Sequence, residues 1–413
     1  MPQPADGAAE TDLGAGDLTS TADGNGPSDL AGADLRGCTL AAQWQLADEL
    51  PAMVGRRTLA RRIVADGTGK LWVSGQYSDN MDSATWLVRS SVDGLVWMGG
   101  PSFRYAVGQS GGAPALVRDR MRGHLLLAGW LGDRGAVEHW IVRRSTDGGM
   151  TFATVDDFNL VAGKHSAAFG VADDAAGAHY VAGYGIDVTD TRHWIVRRST
   201  DGGTSWDTSD DFVYAGGRRS EALDVVEGGA GMLAIGFGND GSAHRWIVRR
   251  RQGAAWATTD DYRLGVGQDA VGVHLAAAGM TVYAIGRATN DSGLTFWVVR
   301  RSTDGGLTWQ TVDSYRHEDM REARGLFVYI DRAGRVYALG EGLERTGRYS
   351  WVVRRSTDRG ATWQTLDVWP GQAGQGASPR GMIEDAQGNL LIAGASAESA
   401  DTARWVVRRL RCE

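Results

Sequence analysis

The sequence predicts an all-β chain folded as a seven-bladed β-propeller with four-stranded antiparallel blades, and three observations carry that prediction. The first is composition. Of 413 residues, 59 are Gly and 16 are Trp, against 8 Pro, a balance that suits many tight turns and a recurring aromatic packing unit. The second is an internal repeat. A Trp followed by two aliphatics and Arg recurs at Trp86, Trp140, Trp194, Trp246, Trp297, Trp351 and Trp405, spaced 51 to 54 residues apart, a period that accommodates the four short strands of a propeller blade. The third concerns the chain ends. The last unit stops after its third strand, at 405–412, while Ala42-Gln43-Trp44-Gln45-Leu46 resembles a lone fourth strand such as Thr308-Trp309-Gln310-Thr311. An N-terminal strand completing the last blade closes the ring and removes its free edges. A solenoid of stacked hairpins would need atypical caps instead.

Residues 1–37 precede this body as a leader or spacer. They carry Asp6, Glu10, Asp12, Asp17, Asp23, Asp29 and Asp34 against Arg36 alone, with no aromatic residue and no periodicity, the composition of a disordered segment. The whole chain has a formal charge of −7, so the propeller at 38–413 is close to neutral. That argues against nucleic acid as a partner, which needs a cationic surface. No run approaches the ~20 apolar residues of a membrane helix, and no signal peptide is legible.

Within the third unit the strands are expected near 167–172, 179–183, 193–198 and 205–208, separated by Gly- and Asp-rich turns. Aligned on the repeat, Cys38 and Cys412 fall on either side of the chain break, one at the position of Thr303 and the other at that of Asp304. A disulfide there replaces the covalent turn of the other blades and closes a long loop, worth ~4 kcal/mol or more in the chain-entropy model. It also implies an oxidising compartment, and therefore a protein that is extracellular, periplasmic or on the cell surface.

The turn between third and fourth strands reads Ser145-Thr146-Asp147-Gly148-Gly149-Met150-Thr151-Phe152, and recurs at 199–206, 302–309 and 356–363. Its Asp accepts hydrogen bonds from the backbone N–H groups that follow, and its Gly tolerates positive φ. The fourth unit has lost the pattern (Arg251-Gln252-Gly253-Ala254-Ala255-Trp256) and the first keeps a shortened form around Asp93. The motif, with Asp93, Asp147, Asp201, Asp304 and Asp358 as its acids, resembles the Asp-box or BNR repeat of sialidases and other exported propellers. In that family the boxes are structural and lie away from the active face.

Thirteen tryptophans belong to two ladders, heading third and fourth strands, and are expected to pack between sheets. Trp72, Trp130 and Trp369 lie outside both, and Trp130 and Trp369 fall near loops where a ligand could reach them. The paired arginines, such as Arg143/Arg144, Arg197/Arg198 and Arg300/Arg301, are expected to pair with the acids Asp156/Asp157, Asp210/Asp211 and Asp260/Asp261, placed after the fourth strands.

Ligands of propellers enter the funnel made by the loops that lead into inner strands and join second to third strands. Here that rim differs from blade to blade, with Arg56, Gln109, Lys164, Arg218, Gln268, Arg321 and Gln375 as candidate binding residues. The sialidase resemblance implies three arginines gripping a carboxylate, a Tyr–Glu pair and an Asp proton shuttle. Arg61, Arg324 and Arg380 are the matching arginines, planar donors suited to a carboxylate, with Glu322 and His165 the nearest acid–base candidates. The chain departs from the pattern in lacking the aromatic-Arg-Ile-Pro sequence at Arg61-Arg62-Ile63-Val64, in offering no assignable Tyr–Glu pair, and in having seven repeats where sialidases have six blades. No Cys/His cluster has metal-ligand spacing, and no metal or cofactor is expected. The expected function is a monomeric binding module for a glycan or protein ligand; the alternative is a hydrolase or lyase acting on an anionic saccharide.

Overall fold

The computed structural model describes residues 43–50, 57–78, 83–217, 219–318, 321–372, 374–399 and 402–411, with backbone alone at 113 and 114. They form seven four-stranded antiparallel sheets. Blade 1 comprises β2 (Thr58–Ala65), β3 (Leu71–Ser78), β4 (Ala84–Ser91) and β5 (Met98–Phe103). Blade 2 comprises β6 (Gly111–Arg118), β7 (Leu125–Gly132), β8 (Glu138–Ser145) and β9 (Ala153–Phe158). Blade 3 follows with β10 (Ser166–Asp173), β11 (His179–Ile186), β12 (Arg192–Ser199) and β13 (Asp207–Phe212). Blade 4 has β14 (Ser220–Gly228), β15 (Gly231–Asn239), β16 (His244–Gln252) and β17 (Ala255–Tyr262). Blade 5 has β18 (Ala270–Ala278), β19 (Thr281–Thr289), β20 (Thr295–Ser302) and β21 (Gln310–Tyr315). Blade 6 has β22 (Ala323–Ile330), β23 (Val336–Leu343), β24 (Tyr349–Ser356) and β25 (Gln364–Trp369). Blade 7 is β26 (Ala377–Glu384), β27 (Leu390–Ala397) and β28 (Ala403–Leu410), completed on its outer side by β1 (Gln45–Leu50).

The ring therefore closes as expected, with Gln45 opposite Arg409 and Leu50 opposite Trp405. Two polar residues tie the seam. Asp48 accepts from Arg89 Nε and Nη2, both at 2.8 Å, and from Trp405 Nε1 at 3.0 Å. Thr58 Oγ1 donates to Leu50 O and accepts from the Trp405 N–H. Cys38 and Cys412 lie outside the described residues, as does the leader.

Each third-strand Trp is buried and points into the neighbouring blade. Its approach is so close that the facing second-strand position must be Gly: a Cβ on Gly183 would lie 2.6 Å from Trp140 Cζ3, and one on Gly340 2.7 Å from Trp297 Cζ3. In blades 1 to 6 the aromatic that ends the fourth strand meets this Trp edge-on, as in Trp194–Phe212 and Trp246–Tyr262, the geometry ring quadrupoles favour; in blade 7 Leu50 takes that place. Trp369 belongs to this ladder. It ends β25 against Trp351 at 5.5 Å, which corrects its reading as a ligand residue. Trp72 is buried too, its Nε1 donating to Gly148 O.

Of the expected doublets, the first arginine takes the first acid, but the acids sit inside the fourth strands and the pairs join different blades; the second arginines Arg144 and Arg301 donate instead to the carbonyls of Gly202 and Arg359. Arg197 grips Asp156 of blade 2 at 2.7 and 3.0 Å, Arg249 grips Asp210 at 2.7 and 2.9 Å, and Arg300 grips Asp260 at 2.7 and 2.8 Å. Arg354–Asp313, Arg408–Asp367 and Arg89–Asp48 repeat the clamp. Most of these guanidiniums also stack on the aromatic that closes the preceding blade, Arg249 over Phe212 at 4.2 Å for example. The junction of blades 1 and 2 departs from this. Pro101 stands in β5 where the Asp belongs, so Arg143 keeps its stacking on Phe103 at 3.8 Å while its buried Nε has no partner among the described residues.

The Ser-Thr-Asp-Gly-Gly turns fold locally. Asp201 Oδ1 accepts from Ser199 Oγ and from the N–H groups of Thr204 and Ser205, and Ser199 Oγ accepts from the Gly203 N–H. Hydrogen bonds from Ser205 hold Asp201 well below the ordinary carboxylate range. Because the turn occupies Ser205, and Trp206 O accepts from Arg197, the fourth strand begins only at Asp207, later than the 205–208 expected. In blade 4, where the turn residues are missing, β16 and β17 run straight into a hairpin at Gly253, whose φ is 63°.

Candidate functional site

The inner strands all start at one end of the ring, and there the framework stops repeating. The second-strand residue opposite the ladder Trp is Gln76, Trp130, Tyr184, Phe237, Arg287, Glu341 and Ala395 around the seven blades. Identical backbone thus presents aromatic groups in blades 2 to 4 and charged ones in blades 5 and 6.

Blades 2 to 4 hold an acid–base group that sequence reasoning missed. Tyr184 Oη donates to Glu138 Oε2 at 2.7 Å. His165 Nδ1 lies 3.7 Å from the same carboxylate oxygen and accepts from the Glu138 N–H. Arg192 lies over the Tyr184 ring at 3.9 Å and donates to Glu221, which also accepts from Arg219 Nε at 2.7 Å. Burial raises the Tyr184 phenol above its ordinary value, helped by the Glu138 charge that outlasts the loss of its proton. A Tyr–Glu pair is therefore present, but its members come from different blades, 46 residues apart. Nothing local to either residue in the sequence marks the pair.

The facing arc carries the arginines. Arg324 Nε donates to Glu322 at 2.5 Å and its guanidinium lies over the Tyr349 ring. Glu341 accepts from Ser378 Oγ and lies 3.6 Å from Arg380. Arg287 is half-buried beside Arg324, and burial chiefly, with that neighbouring charge, lowers its pKa. Burial and the adjacent Arg380 push Arg61 down to about 9, so it is still a cation at neutral pH. Arg61 and Arg380 occupy equivalent places in blades 1 and 7; Arg324 sits two residues nearer the rim than its blade's equivalent, Leu326. Its four arginines face Glu322, Glu341 and, beside Arg287, Asp269, which leaves one positive charge in surplus.

Below the rim every inner strand carries a β-bulge at the same height. Just past it, Arg62 Nη1 meets His274 Nε2 at 2.6 Å, with Asp224 at 3.6 Å from Arg62 and 3.4 Å from His274. His274 stacks on Phe327 at 3.9 Å. Three inner strands from different parts of the ring thus share one buried polar cluster. Burial pushes Asp224 up to about 6 against the pull of Arg62, and pushes His274 down.

The remaining rim residues are engaged locally. Lys164 pairs with Asp190, the backbone carbonyl of Gln109 accepts from the Ala84 N–H, and that of Gln375 accepts from Arg348. The Gln268 and Arg321 backbones close their own loops. Arg56 and Arg218 lie outside the described residues. His317, Glu318 and Glu344 bring possible metal-ligand atoms within 4.8 Å of one another, but His317 already meets Glu344 through Nε2 and Tyr315 through Nδ1.

No protein-family model matches the chain, and no curated protein matches it either. Solved structures do. A protein of unknown function from Dyadobacter fermentans DSM 18053 superposes with a TM-score of 0.51 at 13% identity, over 90% of this chain and 99% of that one. A PL25 ulvan lyase bound to -[GlcA(1-4)Rha3S]- gives 0.55 at 12% identity, covering 90% and 96%. The Hadza microbial sialidase Hz136 gives 0.46 at 14%, covering 85% and 65%. At these identities the likeness is one of fold: the propeller expected from the repeat is there. Among the described residues no helix is long and apolar enough to cross a membrane.

Proposed function

We propose that the funnel takes up an anionic saccharide and cleaves it, as a glycoside hydrolase or a polysaccharide lyase. The observation that carries this reading is the Tyr184–Glu138 pair, 2.7 Å apart beside His165 and opposite an arc of arginines in cationic surplus. Arg61, Arg324 and Arg380, joined by Arg287, hold the acid group of the sugar through bidentate hydrogen bonds. Tyr184, kept protonated by burial and oriented by Glu138, hands its proton to the leaving glycosidic oxygen while water adds at the anomeric carbon (hydrolase) or the uronate C5 proton passes to a flanking base and a C4–C5 double bond forms (lyase); the phenolate is then re-protonated from water. Glu322 and His165 flank the site as further acid–base groups, and Gln109, Lys164, Gln268, Arg321 and Gln375 form the outer rim. A fold shared with a lyase bound to a glucuronate-containing saccharide supports the choice of substrate class. The same proposal places the chain among Asp-box propellers exported from the cytoplasm, where Cys38 and Cys412 oxidise to a disulfide.

The test is a screen of uronate, sulfated and sialylated oligosaccharides, read both as new reducing ends and as the ultraviolet absorbance of an unsaturated uronate. The first signal without the second marks a hydrolase, and both together a lyase. Tyr184→Phe should lower kcat by about a hundredfold or more, and Arg61→Ala, Arg324→Ala and Arg380→Ala should each raise KM. Turnover unchanged in Tyr184→Phe would falsify the catalytic reading. Saturable binding with no turnover returns the propeller to a non-catalytic glycan module.

A further inference from the structure

The geometry points to Trp130 as the platform on which the funnel stacks a second sugar ring of its substrate, next to the ring whose acid group the arginines hold. This rests on the saccharide reading above and deepens it, because it requires an oligomer of at least two rings. Trp130, Tyr184 and Phe237 occupy the same repeat position in successive blades. Two of these rings are already covered. Tyr184 lies beneath Arg192 at 3.9 Å and beside Phe169 at 5.8 Å; Phe237 meets His244 at 4.6 Å and Arg219 at 5.4 Å. Trp130 is partly exposed, and its indole has no aromatic or cationic partner among the described residues.

The surroundings leave room at one edge of the ring and place it beside the chemistry. The inner-strand residue paired with Trp130 is Gly112, where other blades carry Leu59, Ala167, Glu221, Val271, Arg324 and Ser378. A Cβ on Gly112 would stand 3.1 Å from Gln76 Oε1 and 3.2 Å from the indole Nε1, so the missing side chain leaves room at this edge of the ring, beside the Gln76 amide. Trp130 and Gly132 stand on one face of β7, opposite Trp140 and Glu138 of β8. Trp130 is therefore the diagonal neighbour of the carboxylate that holds Tyr184, about 7 Å away on the same sheet face. A sugar ring with its C–H face on this indole is joined through its glycosidic oxygen to a ring lying by Tyr184.

The experiment measures Trp130→Ala and Trp130→Phe against the parent on glucuronate-containing oligosaccharides of two to six sugars. Trp130→Ala should raise KM about tenfold, the scale of one aromatic contact, and change kcat less than twofold; Trp130→Phe should recover most of the loss. The parent should also show a saturable change in tryptophan fluorescence with these oligomers that Trp130→Ala removes. A KM within twofold of the parent in Trp130→Ala overturns the platform, even where Tyr184→Phe abolishes turnover and leaves the enzymatic reading intact. Where no oligomer is cleaved, the fluorescence titration decides: a change lost in Trp130→Ala sustains the platform in a binding module, and no saturable change in the parent overturns it.

Discussion

Asp224 is a carboxylate in a lumen it shares with Arg62 and His274, and alternation along its strand gives no warning of that. A strand that keeps its period would place the core residue after Ala222 at 224; the core residues are Ala222 and Val225, three apart, because Leu223 is the extra residue of the bulge. The same spacing separates Ala60 from Ile63 and Ala168 from Val171. Arg61, Arg380 and Glu322 could be singled out from composition and repeat alignment, whereas the Arg62–Asp224–His274 cluster needed the bulge to be known. Its titration is testable. With a folded pKa of about 6 against an ordinary 3.8, the folded chain holds this proton longer than the unfolded chain does. Asp224 therefore stabilises fully below about pH 4 and loses that contribution as pH rises through 6. Relative to the parent, Asp224→Asn should gain stability across that window by up to ~3 kcal/mol, read as urea midpoints at successive pH values. Parallel curves would show that the carboxyl titrates normally. His274, whose pKa is lowered, acts in the opposite sense in the parent, which is why the difference between the two proteins is the quantity to measure.

The fourth strand is the element that decides how well neighbouring blades hold one another. Its acid was legible as a partner for arginine, but not as a partner in the next blade, since charge pairing read along a sequence favours near neighbours. What β5 lacks is visible only once the clamps are superposed: Met98-Gly99-Gly100-Pro101-Ser102-Phe103 carries no acid, and Arg143 is left stacked, with Nη2 on the Phe152 carbonyl and no carboxylate. Burial accordingly lowers the Arg143 pKa with no carboxylate to offset it. Pro101→Asp should restore the bidentate pair and raise the urea midpoint, by about 1 kcal/mol or more at unchanged m. The converse variant, Asp260→Ala, strands the buried Arg300 and should cost roughly 3 kcal/mol. An unmoved midpoint in Pro101→Asp would mean that stacking on Phe103 already satisfies this junction. The turns were the most legible elements, because Ser, Asp and Gly act on their own backbone within a few residues.

Over the whole molecule, the count of seven and the closure by β1 followed from the repeat and from the two incomplete ends, both properties of the chain as a line. The funnel's chemistry was less accessible, since Tyr184 meets Glu138 only after two blades have folded. Asp48 binds Arg89 and also the Trp405 indole, across a seam that joins the two ends of the propeller. Asp48→Ala should therefore cost more than Asp260→Ala, towards the upper end of about 3–5 kcal/mol, and equal losses in chemical denaturation would show that the seam behaves as an ordinary junction. The bulges common to all inner strands have a longer reach. Each lets two consecutive side chains leave the blade interior at one level without disturbing the ladders on either side. Evolution can thus exchange the reactive groups of such a ring at neighbouring codons while its walls stay under separate selection, and descendants of this architecture should differ most at those paired positions.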